Sequence, residues 1–253
     1  MPSWQPDFII NLSESDFPVK SVSKLTDFLT ANKGRNFLLQ QKVLPLQKYI
    51  SSTGLDTNFV ECSGRMWSIG KRSLPVGITY QGGSDWFCLS REFAQYVVNT
   101  NDDLVGDLHA LMKYTGFGTE VFFHTLLYNS RFCQTHYDSN LKLVSWKLGH
   151  GCIDNSQTID WVGCSPVVIR DEDWSQLMLR VSNDDIFLAR KFNPIFDQMI
   201  ILKLEEKILG KYPPNTPNLN SYWENVYHHH DPDPKNNTSG LIRIAYALTI
   251  QAP

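Results

Sequence analysis

A chain of 253 residues can bury one large core, or one domain plus the start of another. Its 42% hydrophobic content, rich in aromatics, points to a globular, soluble protein, and a formal charge of -3 without a basic, aromatic-interleaved cluster argues against a nucleic-acid binder. No apolar run approaches the length that crosses a bilayer and Met1-Pro2-Ser3-Trp4 does not begin a signal peptide, so no address is expected within the chain itself.

In chain order, Asp7 to Leu12 predicts a short buried strand, ending in a turn over Ser13-Glu14-Ser15-Asp16. Val22 to Leu29 predicts a helix capped by Ser21 or Ser23, with Leu25, Phe28 and Leu29 on one face. The chain turns around Gly34-Arg35-Asn36, and Phe59 to Met66 predicts another strand. Ile78-Thr79-Tyr80 leads into a turn at Gly82-Gly83. Ser90 then caps a helix carrying Phe93, Tyr96 and Val97, which stops before Asn99-Thr100-Asn101. Leu104 to Tyr114 is a second helix, broken by Gly116-Phe117-Gly118. Thr119 is expected to cap a helix that carries Glu120 and turns Phe122, Phe123, Leu126 and Leu127 inward.

Leu141 to Trp146 alternates like a strand. Asp171-Glu172-Asp173 places acid ahead of a helix through Trp174, Leu177 and Met178, as a helix start prefers. Ile186 to Phe192 is a strand ending in the cations Arg190 and Lys191. A helix from Pro194 to Leu209, with Phe196, Met199, Ile200, Leu204 and Ile208 on its apolar positions, runs into Gly210. Strands alternating with helices predict an α/β layered protein. Tyr212-Pro213-Pro214-Asn215-Thr216-Pro217 is a rigid connector and the expected boundary between residues 1–209 and 210–253. The second segment is too short to bury a core of its own.

Glu120 has two readings. In the opening turn of a helix it serves the dipole and needs no function. Against an apolar wall of Val121, Phe122 and Phe123, desolvation would raise its pKa and make it a general base. Asp85 is either a turn residue bonded to nearby amides or an acceptor for sugar hydroxyls, with Trp86 offering an apolar face. Arg190-Lys191 is either solvated or a clamp for a leaving diphosphate that needs no metal. No Asp-x-Asp stands beside a strand end; Asp231-Pro232-Asp233 lies in a proline-broken loop, and His228-His229-His230 reads as an exposed loop more readily than as a ligand set.

The five cysteines are an odd number, so at least one is unpaired within the chain or bridges outside it. Cys152 and Cys164 flank a polar loop and can close it, which would restrict the unfolded chain by about 3 kcal/mol in the entropy model. Asn11-Leu12-Ser13, Asn236-Asn237-Thr238 and Asn237-Thr238-Ser239 fit the glycosylation acceptor pattern and lean towards a secretory compartment.

Five motifs occur in order: Gly82-Gly83-Ser84-Asp85-Trp86-Phe87, Phe122-Phe123-His124-Thr125, Asp160-Trp161 with Gly163-Cys164-Ser165-Pro166, Ala189-Arg190-Lys191-Phe192, and Ser221-Tyr222-Trp223-Glu224-Asn225-Val226-Tyr227. Together they resemble the peptide O-xylosyltransferases, within the wider core-2/I-branching glycosyltransferase family, over Asp7 to about Tyr246. The resemblance implies part of a GT-A type (Rossmann-like) catalytic domain over 1–209 and the beginning of a β-rich accessory domain over 210–253. It implies an inverting enzyme that moves xylose from UDP-xylose to a serine of an acidic Ser-Gly proteoglycan core protein. That transfer starts the linker of heparan and chondroitin sulfate.

By the same resemblance, Glu120 is the base, Asp85 with Trp86 holds the xylose, and Arg190-Lys191 grips the diphosphate; no cofactor is required for the chemistry, and the part a divalent cation plays in turnover is left open. It further implies a Golgi protein, membrane-anchored ahead of Asp7 or released by secretion, whose chain continues before Asp7 and beyond Pro253. The family has Cys-Lys-Cys and Cys-Gly-Cys where this chain has His150-Gly151-Cys152 and Val162-Gly163-Cys164, which leaves Cys152 and Cys164 to pair. Cys133 matches a family cysteine bridged to a preceding part of the domain, and Cys88 stands where the family has an apolar residue. Two other readings stand beside the xylosyltransferase: a non-catalytic fragment or degenerate paralogue that binds glycan or peptide, and a branching N-acetylglucosaminyltransferase.

Overall fold

The computed structural model describes residues 5–42, 45–63, 65–146, 152–153, 163–164 and 166–210. The chain divides into two compact units, Met1–Leu209 and Gly210–Pro253; beyond Gly210 the second lies outside the described residues.

Short strands and helices alternate through the first unit. In order they are β1 (Phe8–Ile10), β2 (Phe17–Pro18), α1 (Val22–Ala31), β3 (Asn36–Gln40), α2 (Leu46–Thr53), β4 (Thr57–Cys62), β5 (Arg65–Lys71), β6 (Gly83–Ser90), α3 (Arg91–Asn99), α4 (Asp103–Met112), α5 (Phe122–Asn129), β7 (His136–Tyr137), β8 (Lys142–Val144), β9 (Cys152–Ile153), β10 (Gly163–Cys164), α6 (Trp174–Asn183), β11 (Leu188–Arg190) and α7 (Met199–Leu209). The architecture is mixed α/β.

The first sheet has the order β1-β6-β3-β7, with β6 antiparallel to both its neighbours and β7 parallel to β3. Successive residues of β6 face opposite sides, as the pleat requires. Cys88 joins Phe37, Leu141 and Phe187 beneath α1, whereas Phe87 and Leu89 pack with Leu38 against α3, α4 and α5. A second sheet, β2-β11-β8, sets β11 parallel to β8, and its core includes Val19, Ile186, Ala189, Ile200 and Leu204.

Local signals set several boundaries. Ser21 accepts from the Lys24 amide at the start of α1 and Ser90 from the Phe93 amide at the start of α3, so each satisfies a donor the helix cannot.

Four expectations are corrected. The predicted strand Phe59 to Met66 is the hairpin β4–β5, which turns at Ser63 (φ 55°). Gly82-Gly83 is no turn: Gly83 opens β6 and the Gly82 carbonyl accepts from the Gln41 amide. A Cβ on Gly83 would lie 2.0 Å from the Leu39 carbonyl oxygen, so glycine is there for close strand approach at the bulge in the β3–β6 register. The helix expected from Pro194 begins at Met199, because the Asp197 carboxylate accepts from the Met199 and Ile200 amides; Phe196 and Met199 are exposed. Thr119 caps nothing: a single 3-10 turn, Gly118–Glu120, precedes α5, whose cap Val121 offers no side-chain bond.

Candidate active site

The sheet's two-residue period decides what surrounds Asp85 and Trp86. Adjacent on β6, they face opposite sides. Asp85 is exposed on the side of Phe87 and α5, and Trp86 lies on the side of the second sheet. The edge is held by Asn11, whose amide donates to the Asp85 carbonyl at 2.9 Å and accepts from the Phe87 amide at 2.7 Å. Ser84 is fixed as well. Its hydroxyl accepts from Asn140 at 3.0 Å and from the Trp86 amide at 3.2 Å, and its carbonyl meets His124 Nε2 at 3.0 Å. Burial pushes the His124 pKa down to about 4, so the ring is neutral near pH 7 and Nε2 carries the donated hydrogen.

Glu120 closes the 3-10 turn beside β6, half-buried. Burial is the main cause that raises its carboxyl pKa, and the Asp85 charge adds to it. Val121 is fully buried, and Phe122 and Phe123 pack into the core with Leu38, Leu89 and Phe93. The turn sits close to the strand. A Cβ on Gly82 would fall 2.7 Å from the Glu120 carbonyl oxygen and 1.4 Å from the Tyr49 hydroxyl.

On the opposite side of β6, Arg190 ends β11, its guanidinium carbon 4.4 Å from the centre of the Trp86 ring. Lys142, from the neighbouring β8, sets its ammonium 3.4 Å from the same ring centre. Cations over an indole face are attracted by the ring quadrupole. The ring is therefore engaged by two cations, where the sequence suggested a free apolar face. Asp16 completes the group. Its carboxylate is 2.8 Å from Lys142 Nζ, with both side chains 2% exposed or less, and 3.9 Å from Arg190 Nε. Lys142 Nζ also donates to the Asn11 carbonyl at 3.3 Å.

Glu120, Asp85, Trp86 and Arg190 thus cluster about one end of β6, the carboxylates on one side and the cations on the other. Lys191 follows directly through a cis peptide; its carbonyl accepts from the Ile169 amide, and its ammonium has no ion pair among the described residues. Two surface cavities, of about 720 and 270 Å³, are lined by other residues, the larger by Lys20, Lys24, Phe187 and Lys207 and the smaller by Trp146, Ile169 and Arg180. Sequence reasoning missed Asp16, Lys142 and Asn11. In sequence Asp16 belongs to a turn and Lys142 to an alternating strand, and nothing local marks either as buried.

Cys152 and Cys164 are opposite one another in the antiparallel pair β9–β10, but their side chains lie outside the described residues. Among the described residues Cys62, Cys88 and Cys133 form no disulfide, and Cys88 is buried. No group of three His, Cys, Asp or Glu that could hold a metal ion occurs among the described residues. The His228–His230 run and Asp231-Pro232-Asp233 lie outside them. Also among the described residues, no helix is long and apolar enough to cross a membrane.

Residues 2–173 match the family described as Core-2/I-Branching enzyme, and residues 205–252 match the one described as Xylosyltransferase C terminal. The chain is 47% identical over 231 residues to the xylosyltransferase oxt of Drosophila pseudoobscura pseudoobscura and 46% over 232 residues to that of Drosophila melanogaster. It is 41% identical over 228 residues to xylosyltransferase 2 of Homo sapiens. Each match takes in 90% of this chain and 26% of the relative, so the chain spans about a quarter of the length of these curated relatives. With more than half of its residues inside one family's pattern, Asp16, Asp85, Glu120 and Lys142 among them, the chain belongs to the core-2/I-branching enzyme family.

Proposed function

We propose that this chain carries the acceptor and diphosphate side of an inverting, GT-A type glycosyltransferase site, which moves xylose from UDP-xylose to a serine hydroxyl of a proteoglycan core protein. One observation carries the reading: a half-buried carboxylate with a raised pKa and a wall of cations flank the same strand end, with Asp85 and Trp86 between them. The relatives' name, xylosyltransferase, supports the choice of sugar.

Glu120, ionised, takes the proton of the serine hydroxyl as that oxygen attacks the anomeric carbon. The bond from that carbon to the diphosphate oxygen breaks on the far side, so the configuration inverts. Asp85 accepts hydrogen bonds from the sugar hydroxyls and holds the ring for in-line attack. Arg190 and Lys191 take up the charge that develops on the leaving diphosphate. A positioned base contributes about 10²–10⁴-fold, roughly 3–5 kcal/mol of barrier. The reading places the enzyme in the Golgi lumen, at the first step of heparan and chondroitin sulfate linker synthesis, with Cys152 and Cys164 joined as a disulfide.

The test is transfer of labelled xylose to an acidic Ser-Gly peptide by the full-length protein. Glu120→Gln is expected to lower kcat by about 10²–10⁴-fold. Unchanged transfer in that variant removes Glu120 from the mechanism.

A further inference from the structure

Two cations and one carboxylate meet beneath Trp86, and they do not share it equally. Lys142 is hydrogen-bonded to Asp16 at 2.8 Å, whereas Arg190 Nε stays 3.9 Å away and has no hydrogen-bond partner. The Arg190 side chain is only 15% exposed and donates no hydrogen bond to a described residue. A largely buried guanidinium with unused donors beside a carboxylate is unusual, since a close Arg–carboxylate pair is ordinarily bidentate. Here Asp16 Oδ2 is held by Lys142 Nζ and by the Ser13 amide at 2.6 Å, while Oδ1 has no hydrogen-bond partner and stops 3.9 Å short of Arg190 Nε. Burial lowers the Lys142 pKa, and Asp16, with a smaller contribution from Asp85, opposes that shift. Among the described residues, Asp16 is the one carboxylate within ion-pair distance of either cation, so two cations share a single anion there.

We propose that Lys142 is a positioning residue that anchors Asp16 out of hydrogen-bond reach of Arg190 and so leaves the guanidinium donors open for an anionic diphosphate ligand. This rests on the functional reading above and adds two residues to it. Without Lys142, Asp16 collapses onto Arg190 and neutralises it. The ligand then competes with an internal anion, and affinity falls although no residue that touches the ligand has changed. Asp16 is inhibitory in that setting and harmless in the parent protein.

The experiment is UDP titration by calorimetry on the full-length protein, with donor KM and kcat measured in parallel. Arg190→Ala comes first: unaltered UDP affinity there overturns the functional reading itself. With Arg190 established, Lys142→Met, which keeps the length of the side chain, is expected to weaken UDP binding about tenfold or more, the effect of losing a hydrogen bond to a charged group, and to raise donor KM more than it lowers kcat. The double variant Asp16→Asn/Lys142→Met is expected to recover to within about threefold of the parent, because the competing anion is gone.

A merely structural role predicts a double variant at least as impaired as the single. That result, or an unaffected Lys142→Met, overturns the inference and leaves the functional reading standing. Should Lys142→Met not fold, Asp16→Asn alone decides the matter: UDP binding as tight as the parent's or tighter is expected, and weaker binding overturns the inference.

Discussion

The Tyr49 hydroxyl donates to the Glu120 backbone carbonyl at 3.3 Å, and Gly82 fits against both groups. The turn that carries the proposed base is therefore located by α2 and by the absence of a side chain at position 82. A methyl group there would overlap the hydroxyl oxygen of the buried Tyr49 and crowd a carbonyl that belongs to the backbone. Gly82→Ala is expected to cost about 1–3 kcal/mol by overpacking and to move Glu120. Loss of kcat by about tenfold or more with a lowered thermal midpoint checks this, since small displacements of reacting groups are expensive. A variant with full kcat would show that the contact is irrelevant to Glu120.

The Glu120 carboxyl has its pKa raised by burial first and by Asp85 second, so two pH effects follow. The base is ionised only above its raised pKa, so kcat/KM rises with pH through that value. Asp85→Asn removes the secondary cause and is expected to move this acid limb to lower pH. In linkage terms the protonated form favours folding: the contribution is complete below the ordinary value of 4.5 and is lost as pH rises through the folded value. Glu120→Gln should therefore raise the thermal midpoint at pH 7, with the gain absent below pH 4.5. A pH-independent difference in midpoint would count against the burial argument.

Asn11 begins one of the three glycosylation triplets, but its amide nitrogen is already bonded to the Asp85 carbonyl. Glycan at this site would displace the bond that holds the edge of β6. Peptide mapping of secreted protein is expected to find Asn11 unmodified. Asn11→Ala should weaken donor binding about three- to tenfold, from the loss of one or two hydrogen bonds worth about 1 kcal/mol each.

Asp16 and Lys142 form the most buried ion pair among the described residues, each side chain 2% exposed or less. Removing the shared anion strands both Lys142 and Arg190. Asp16→Ala is expected to destabilise the fold by about 3–5 kcal/mol, read from denaturant unfolding. A loss below about 1 kcal/mol would place this pair with ordinary surface bridges.

The backbone register sets Cys164 opposite Cys152. Directly opposed residues of an antiparallel pair have Cα atoms about 4.5–5.5 Å apart, within the span a disulfide bridges. A non-reducing mass map is expected to join these two and leave the buried Cys88 free. Finding Cys152 and Cys164 as thiols would refute the pairing.

What could be read directly from the chain was what short-range physics controls. The periodicity of Leu25, Phe28 and Leu29, the capping serines 21 and 90, and the break at Gly116-Phe117-Gly118 placed α1, α3 and α4 to within a few residues. Glu120, Asp85 and Arg190 could be singled out because an acid or a cation at the edge of an apolar run is visible in one dimension. Lys142 and Asp16 could not, since they are 126 residues apart and each has an unremarkable neighbourhood. Only the tertiary structure brings β8, β11 and the loop after β1 around Trp86, and only burial turns an ordinary lysine and aspartate into a pair that governs a third residue. Gly82 shows the same limit: a glycine before a strand reads as a turn until the structure shows what a side chain there would strike.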